Sequence, residues 1–342
     1  MTNYFNFFLA SYVAGKNLAV ITPPGWGKTS QALLTAQTAD VPYVLRALSP
    51  SSPPEMINGS LDLLALQKGQ YRLNSDGTPS DPKVKIVILD ELFRSSDIIF
   101  DLLLQLLEPL RAPDAQVFWA LNNFAPTSAR SEALRERFAI WVWLQPHLSG
   151  AEAGKLVGKL PTSGGQLPPW DEVLKIRQAS QAALPSSLES EMRDLIQVLV
   201  DSGSKEGFAF SPRIVTNIWE TLARVSLFDG SSGISKNAMK LLPYLYPASS
   251  YDDAAKFSKL VRTVISADEV AIDTILSIAK QKFNEVVRKT DKASLITELG
   301  KTFAELQGEL EKFSQKSPAK TAEAKATLSS WFAEAVRGEP IS

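Results

Sequence analysis

Four short apolar runs punctuate the first half of the chain: NLAVI at 17–21, Val84 to Leu89, Gln116 to Leu121 and Ala139 to Leu144. Each is of strand length. The first three are nearly continuous in apolar character, as strands buried on both faces are. Between them the period changes. SQALLTAQTA, after Gly25 and Gly27, has helical spacing, and Asp97 to Leu107 aligns Ile99, Leu102, Leu103 and Leu106 along one side. A short helix is expected from about Ser128 to Glu136. Ser49 to Pro82 is rich in Pro, Gly, Ser and Asp and reads as loops around a short apolar element near Leu61 to Leu66. Strands alternating with helices predict a parallel α/β sheet.

The pattern then shifts. LPTSGGQLPP, from Leu160 to Pro169, reads as a linker, and the chain is mostly helical from there to about Pro247. Ser211 is placed to cap the helix after Phe210, with Pro212 at its first position. After YPASSYDD, Ile272, Leu276, Ala279, Phe283 and Val286 recur at alternating fours and threes, and Ile296, Leu299, Phe303, Leu306 and Leu310 repeat the rhythm, with Phe313 after them. Such seams favour paired helices. With TDKAS as the turn they predict an antiparallel hairpin, part of a bundle or else a protruding or oligomer-forming arm. Ser314 to Ala326 reads as a loose polar stretch before an apolar anchor at Trp331 and Phe332. Three units are expected: residues 1–160, 161–248 and 249–342.

Composition removes several functions. The net charge is −1, so no global field recruits nucleic acid. Cysteine is absent, which excludes disulfide and thiolate chemistry. His147 is the single histidine, so no histidine cluster can build a zinc centre. The amino-terminal residues lack a signal-peptide pattern and no apolar run reaches bilayer length, so the expectation is a cytoplasmic protein away from membranes.

Chemistry concentrates at the strand ends. TPPGWGKT, from Thr22 to Thr29, departs from the usual phosphate loop only where Thr22 replaces its first glycine. Pro24, Gly25, Trp26, Gly27, Lys28, Thr29 and Ser30 are the candidate nucleotide-binding residues. Backbone N–H groups from Gly25 to Lys28, and the amino end of the next helix, suit phosphate. Lys28 would neutralise the outer phosphates and Thr29 would coordinate Mg²⁺. The next run ends in Asp90 and Glu91, a candidate metal ligand and a candidate base for water. ALNNF offers Asn122 or Asn123 as a residue to orient that water. ALRERF offers Arg135 or Arg137 to a neighbour's nucleotide, and Arg213 sits where it could close over phosphates from the lid side.

Together these segments resemble an AAA+ ATPase, closest to the RavA-like branch of the MoxR family, over roughly residues 10–248. PPGWGKT, IVILDELFRS, ALNNF, RERF and FSPR carry the resemblance, and LPPWDEVLKIRQA and VSLFDG resemble the entry to and end of the family's lid. It implies a P-loop NTPase AAA+ parallel-sheet domain with an α-helical lid, followed here by a C-terminal helical extension. It further implies ATP and Mg²⁺ as cofactors, Thr29 and Asp90 at the metal, Glu91 activating water, Asn122 as sensor, Arg137 acting in trans and Arg213 as second sensor. A hexameric ring and a von Willebrand factor A-domain partner are implied too. The family's β-hairpin insertion after the acidic-strand helix has little room in EPLRAPDAQVF, and the tail after Tyr251 aligns with nothing in that branch.

The expected function is therefore Mg²⁺-dependent ATP hydrolysis driving chaperone-like remodelling of a partner protein. A scaffold locked by nucleotide with little turnover is the alternative of another class. A nucleic-acid motor or loader is a third, disfavoured by the near-neutral charge and the lack of a basic–aromatic block.

Overall fold

A computed structural model describes residues 4–107, 113–126, 133–144, 165–289, 295–312 and 318–337. The four apolar runs form strands β1 (Leu18–Ile21), β5 (Ile86–Asp90), β6 (Val117–Asn122) and β7 (Ile140–Trp143). A strand the periodicity did not reveal, β2 (Tyr43–Ala47), joins them. All five pair in parallel, in the order β2-β5-β6-β1-β7. β2 escaped notice because it lies at one edge with little buried: only Val44 is buried, and Arg46 interrupts the apolar run. The fold is thus the expected parallel α/β core of the AAA+ P-loop NTPase class, with a helical lid and a C-terminal helical extension.

Helices α1 (Phe5–Ala14), α2 (Lys28–Ala36) and α5 (Asp97–Leu106) accompany the sheet. On α5, Ile99, Phe100 and Leu103 are buried, joining Val87, Leu89, Phe118 and Trp141 in one apolar layer. Between β2 and β5 the loop-rich stretch contains two short helices, α3 (Glu55–Asn58) and α4 (Leu63–Gln67), and a small antiparallel ladder, β3 (Ser60–Leu61) with β4 (Leu73–Asn74). This insertion carries Leu63, Leu64 and Tyr71 to the solvent, at 67%, 72% and 80% exposure.

The lid contains α6 (Trp170–Ala182), α7 (Ser186–Lys205), α8 (Pro212–Phe228) and α9 (Lys236–Leu241). As expected, the Ser211 hydroxyl caps α8, accepting from the Ile214 N–H at 3.3 Å, with Pro212 at the first position. The lid grips α1 through two buried guanidiniums. Arg177 on α6 donates to the carbonyls of Tyr12 (2.5 Å) and Val13 (3.4 Å), and also to Pro113 and Ala115. Arg224 on α8 donates to the Ala14 carbonyl at 2.6 Å. These are last-turn carbonyls of α1, which no helical N–H can take and where the helix dipole favours cations. Gly15 closes α1 in a left-handed conformation.

The chain divides into two compact units, Met1–Leu260 and Val261–Ser342, the boundary lying inside helix α10 (Tyr251–Lys289). In the second unit Ala279 and Phe283 of α10, and Leu299, Leu306 and Leu310 of α11 (Leu295–Glu311), are buried together. The seam is narrower than its periodicity suggested, for Ile296 is 61% exposed. The stretch expected to be loose is instead largely helix: α12 (Pro318–Val336) adds Ala324, Leu328 and Ala335 to the same core. Its first half contributes the small Ala324, which a search for large apolar side chains overlooks, while the expected anchor, Trp331 and Phe332, packs partly buried against that core. The TDKAS turn, residues 160–164 of the linker, most of the helix expected from Ser128, Phe313 and His147 lie outside the described residues. Among the described residues no helix is long and apolar enough to cross a membrane.

Gly15 tests the grip on α1. Its φ is +64°, and a Cβ there would lie 2.9 Å from the Arg177 Cζ, whose guanidinium its carbonyl partners hold in place. Gly15→Ala should lose at least the roughly 1–2 kcal/mol of a left-handed L-residue, read as a lower urea midpoint. An unchanged midpoint would show that the grip is soft.

Candidate functional site

Three strands end at one edge of the sheet. In register, Ile21 lies opposite Asn122, and Asp90 opposite Leu121. The loops after β1, β5 and β6 therefore emerge side by side, at the carboxyl edge where α/β sheets bind ligands. The turn after β1 needs Gly25 (φ +84°) and Gly27 (φ +74°), a conformation that L-residues adopt only at a cost. A Cβ on either would meet nothing within 4 Å, so the loop is an open cradle. Pro24, Gly25 and Ser30 are exposed on it, and Trp26 is half-buried. α2 starts at Lys28 and directs its unpaired first-turn N–H groups there.

Thr22 occupies the position of the usual glycine without strain. Glu91 is the one non-glycine described residue with positive φ, so Thr22 has an ordinary backbone. Its side chain is buried against the Tyr4 hydroxyl. The Thr22 N–H donates to the Asn122 carbonyl at 3.1 Å.

The polar groups form one connected set. Thr29 Oγ1 donates to Asp90 Oδ2 at 2.9 Å. Lys28 Nζ donates to Asn123 Oδ1, and Asn123 Nδ2 donates to Glu91 Oε1. Glu91 Oε2 is buried with no hydrogen-bond partner among the described residues. Glu91 itself sits at φ +58°, a conformation that costs an L-residue on the order of 1–3 kcal/mol. Its backbone is held by its N–H on the Leu121 carbonyl at 2.8 Å. Asn122, implied by the resemblance as the sensor, is buried: its Oδ1 accepts from the Phe93 N–H at 2.8 Å, and its Nδ2 has no hydrogen-bond partner among the described residues. Asn122 thus fastens the acidic turn from beneath, while Asn123 reaches the crevice. The sequence alone left these two open, since adjacent residues at a strand end diverge only once the turn is built.

These groups fit a magnesium nucleotide. The cradle is open, Thr29 and Asp90 offer hard oxygen ligands, Lys28 offers a cation, and Glu91 keeps one oxygen unengaged.

The arginines lie at the opposite edge. Arg137 precedes β7, and its carbonyl accepts from Asn17 Nδ2 at 2.9 Å, just before β1 begins. Arg137 and Arg213 line one cavity of about 70 Å³, together with Lys16, Arg177, Arg224 and Glu220. None of the phosphate-loop residues lines it. Arg213 has no hydrogen-bond or ion-pair partner among the described residues. Glu220 offsets the cavity's charge, pairing with Lys16 at 2.6 Å and Arg224 at 3.4 Å. Arg135 lies two residues before Arg137 and does not line this cavity. Sequence reasoning missed Asn17, Arg177 and Arg224. The signal for Arg177 was its place four residues after Val173, on the one buried stripe of α6.

Residues 3–144 match the family described as the MoxR domain in the MoxR-vWA-beta-propeller ternary systems. No curated protein has a significant sequence match to the chain. Among solved structures, a candidate ATPase from Cytophaga hutchinsonii is similar over 76% of this chain and 87% of its own, with a TM-score of 0.54 and 17% identity, a likeness of fold. A DNA polymerase III gamma subunit-related protein of Thermotoga maritima overlaps 97% of this chain and 99% of its own at 12% identity, but with a TM-score of 0.26. That overlap is too poor to inform the fold.

Lys28 yields a pH prediction. Burial lowers the pKa of its ammonium, and Asp90 and Glu91 oppose that shift only in part. A lysine whose folded pKa is depressed releases its proton more readily in the folded chain. Its cost to stability is therefore largest at neutral pH and fades as pH rises through the folded pKa toward the ordinary value of 10.5. Between pH 7 and pH 10, urea midpoints of the parent should rise relative to those of Lys28→Met. A constant difference would remove the burial cost.

Proposed function

We propose that this chain, whose residues 3–144 match the MoxR-domain family, is an AAA+ ATPase that hydrolyses ATP with Mg²⁺ in a homo-oligomeric ring, most simply a hexamer. On this reading hydrolysis drives the remodelling of a partner protein. The observation that carries the proposal is Glu91, held in a left-handed turn with one oxygen on Asn123 and the other unengaged, next to Asp90 and across β6 from the loop that carries Lys28 and Thr29. A strained backbone bearing a half-satisfied buried carboxylate is costly in a purely structural position and useful in a base.

Bound Mg²⁺-ATP would supply the electrophilic phosphorus and the ADP leaving group. The first-turn N–H groups of α2 and Lys28 bind and orient phosphate oxygens. Thr29 and Asp90 hold the metal. Glu91 takes a proton from the attacking water through Oε2, while Asn123 fixes the carboxylate through Oε1. Arg137 and Arg213, at the far edge of the sheet, serve a neighbouring subunit. Their shared cavity and its distance from this chain's own phosphate loop support a role in trans for both. The MoxR-vWA-beta-propeller description of the matched family supports a von Willebrand factor A-domain partner.

Glu91→Gln should keep nucleotide affinity within a few-fold and lose turnover by about 10²–10⁴-fold, the range of a general base. Arg137→Ala should lose about 10³–10⁵-fold, the range of an arginine finger, with single-subunit binding intact. Mixing Glu91→Gln with Arg137→Ala subunits should restore part of the activity. Phosphate release from the mixture no faster than from either variant alone would exclude action in trans.

A further inference from the structure

Helix α1 touches both edges of the sheet domain. At its start, the Tyr4 N–H donates to Gln31 Oε1 of α2 at 3.0 Å, a buried bond. The Tyr4 ring is fully buried, and its hydroxyl lies against that of Thr22 in the phosphate loop. Both hydroxyls are buried, and neither has a partner in hydrogen-bond geometry among the described residues. At its end, Tyr12, Val13 and Ala14 give their carbonyls to Arg177 and Arg224. Immediately beyond the Gly15 cap, Lys16 bonds Asn217 at 2.9 Å and Glu220 at 2.6 Å.

These lid partners form one stripe. Arg213, Asn217, Glu220 and Arg224 recur at four, three and four residues along α8, so they share a face. Three of the four are held by the end of α1. The fourth, Arg213, extends into the cavity beside Arg137. Between its ends α1 is a stiff rod about 15 Å long. Phe8, Tyr12 and Val13 are buried along it, with the Phe8 ring 4.6 Å from that of Trp119. Close packing of this kind transmits a displacement rather than absorbing it.

We infer that α1 is the coupling element between a subunit's own phosphate loop and the arginine that it presents to its neighbour. The inference rests on the nucleotide reading above. Filling the loop moves Thr22 and α2. Tyr4 carries that movement into α1, and the end of α1 shifts the α8 face that places Arg213. Tyr4 is thus a positioning residue, acting on Arg213 from the other end of the rod. One subunit's nucleotide state then sets the arginine available to the next.

Amide hydrogen exchange on the full-length protein, with and without saturating Mg²⁺-ATP, tests this with no need for turnover. In the parent, nucleotide should slow exchange at residues 25–31 and change it at 213–224. In Tyr4→Phe, which removes one hydroxyl and keeps the ring, the loop response should remain and the 213–224 response should fall at least twofold. An undiminished response at 213–224 in Tyr4→Phe would overturn the coupling. So would a parent that responds at 25–31 alone. A parent that responds at neither segment would overturn the nucleotide reading and this inference with it. If Tyr4→Phe proves poorly folded, Gln31→Met removes the acceptor of the Tyr4 N–H and so cuts the same end, and the same outcomes apply.

Discussion

The buried ammonium of Lys28 is the constraint around which the site is organised. It sits at the start of a helix, where the dipole already disfavours a cation, and burial disfavours it further. Asp90 and Glu91 lie close enough to offset part of that cost, and Asn123 joins the ammonium to Glu91. The strand register keeps them together, because β5 and β1 flank β6 and all three end at the same edge. The loop therefore holds its charges at a cost that the neighbouring carboxylates offset only in part, and on the proposed reading a phosphate group would add negative charge beside Lys28.

The domain is chemically two-faced. Carboxylates, a hydroxyl and an open backbone cradle occupy the carboxyl edge of the strands, while guanidiniums crowd the other. On the proposed reading neither edge is a complete catalytic centre. Stacking subunits head to tail would set one kind of edge against the other, and a closed ring leaves no unmatched edge. The lid belongs to the arginine edge in this conformation, because Arg177 and Arg224 bind it to the last turn of α1.

Much of this was legible in the sequence, for identifiable reasons. Four of the five strands were visible because strands buried on both faces leave almost unbroken apolar runs. β2 was not, since an edge strand need bury little. The glycine turn after β1 and the acidic end of β5 were legible because they depend on local chemistry: glycines where φ is positive, acids where a strand stops. The choice between Asn122 and Asn123 depends on how one turn rotates, which no local pattern encodes. Arg213 was legible as a special residue at a helix start, but its placement depends on contacts made some 200 residues away in sequence. In the extension, α11 announced itself through large apolar residues. Of α12 only the Trp331 and Phe332 anchor did, because its first half packs through the small Ala324.

The grip of Arg224 on Ala14 spans 210 residues of chain. During synthesis, at roughly 5–20 residues per second, α1 leaves the ribosome some 10–40 s before that partner exists. In that interval Phe5, Phe8, Tyr12 and Val13 have no lid to cover their surroundings, and the last carbonyls of α1 have only water. The nascent chain consequently passes through a stage with a sticky amino-terminal segment, and its yield in cells should depend on how well that segment is shielded until the lid is made.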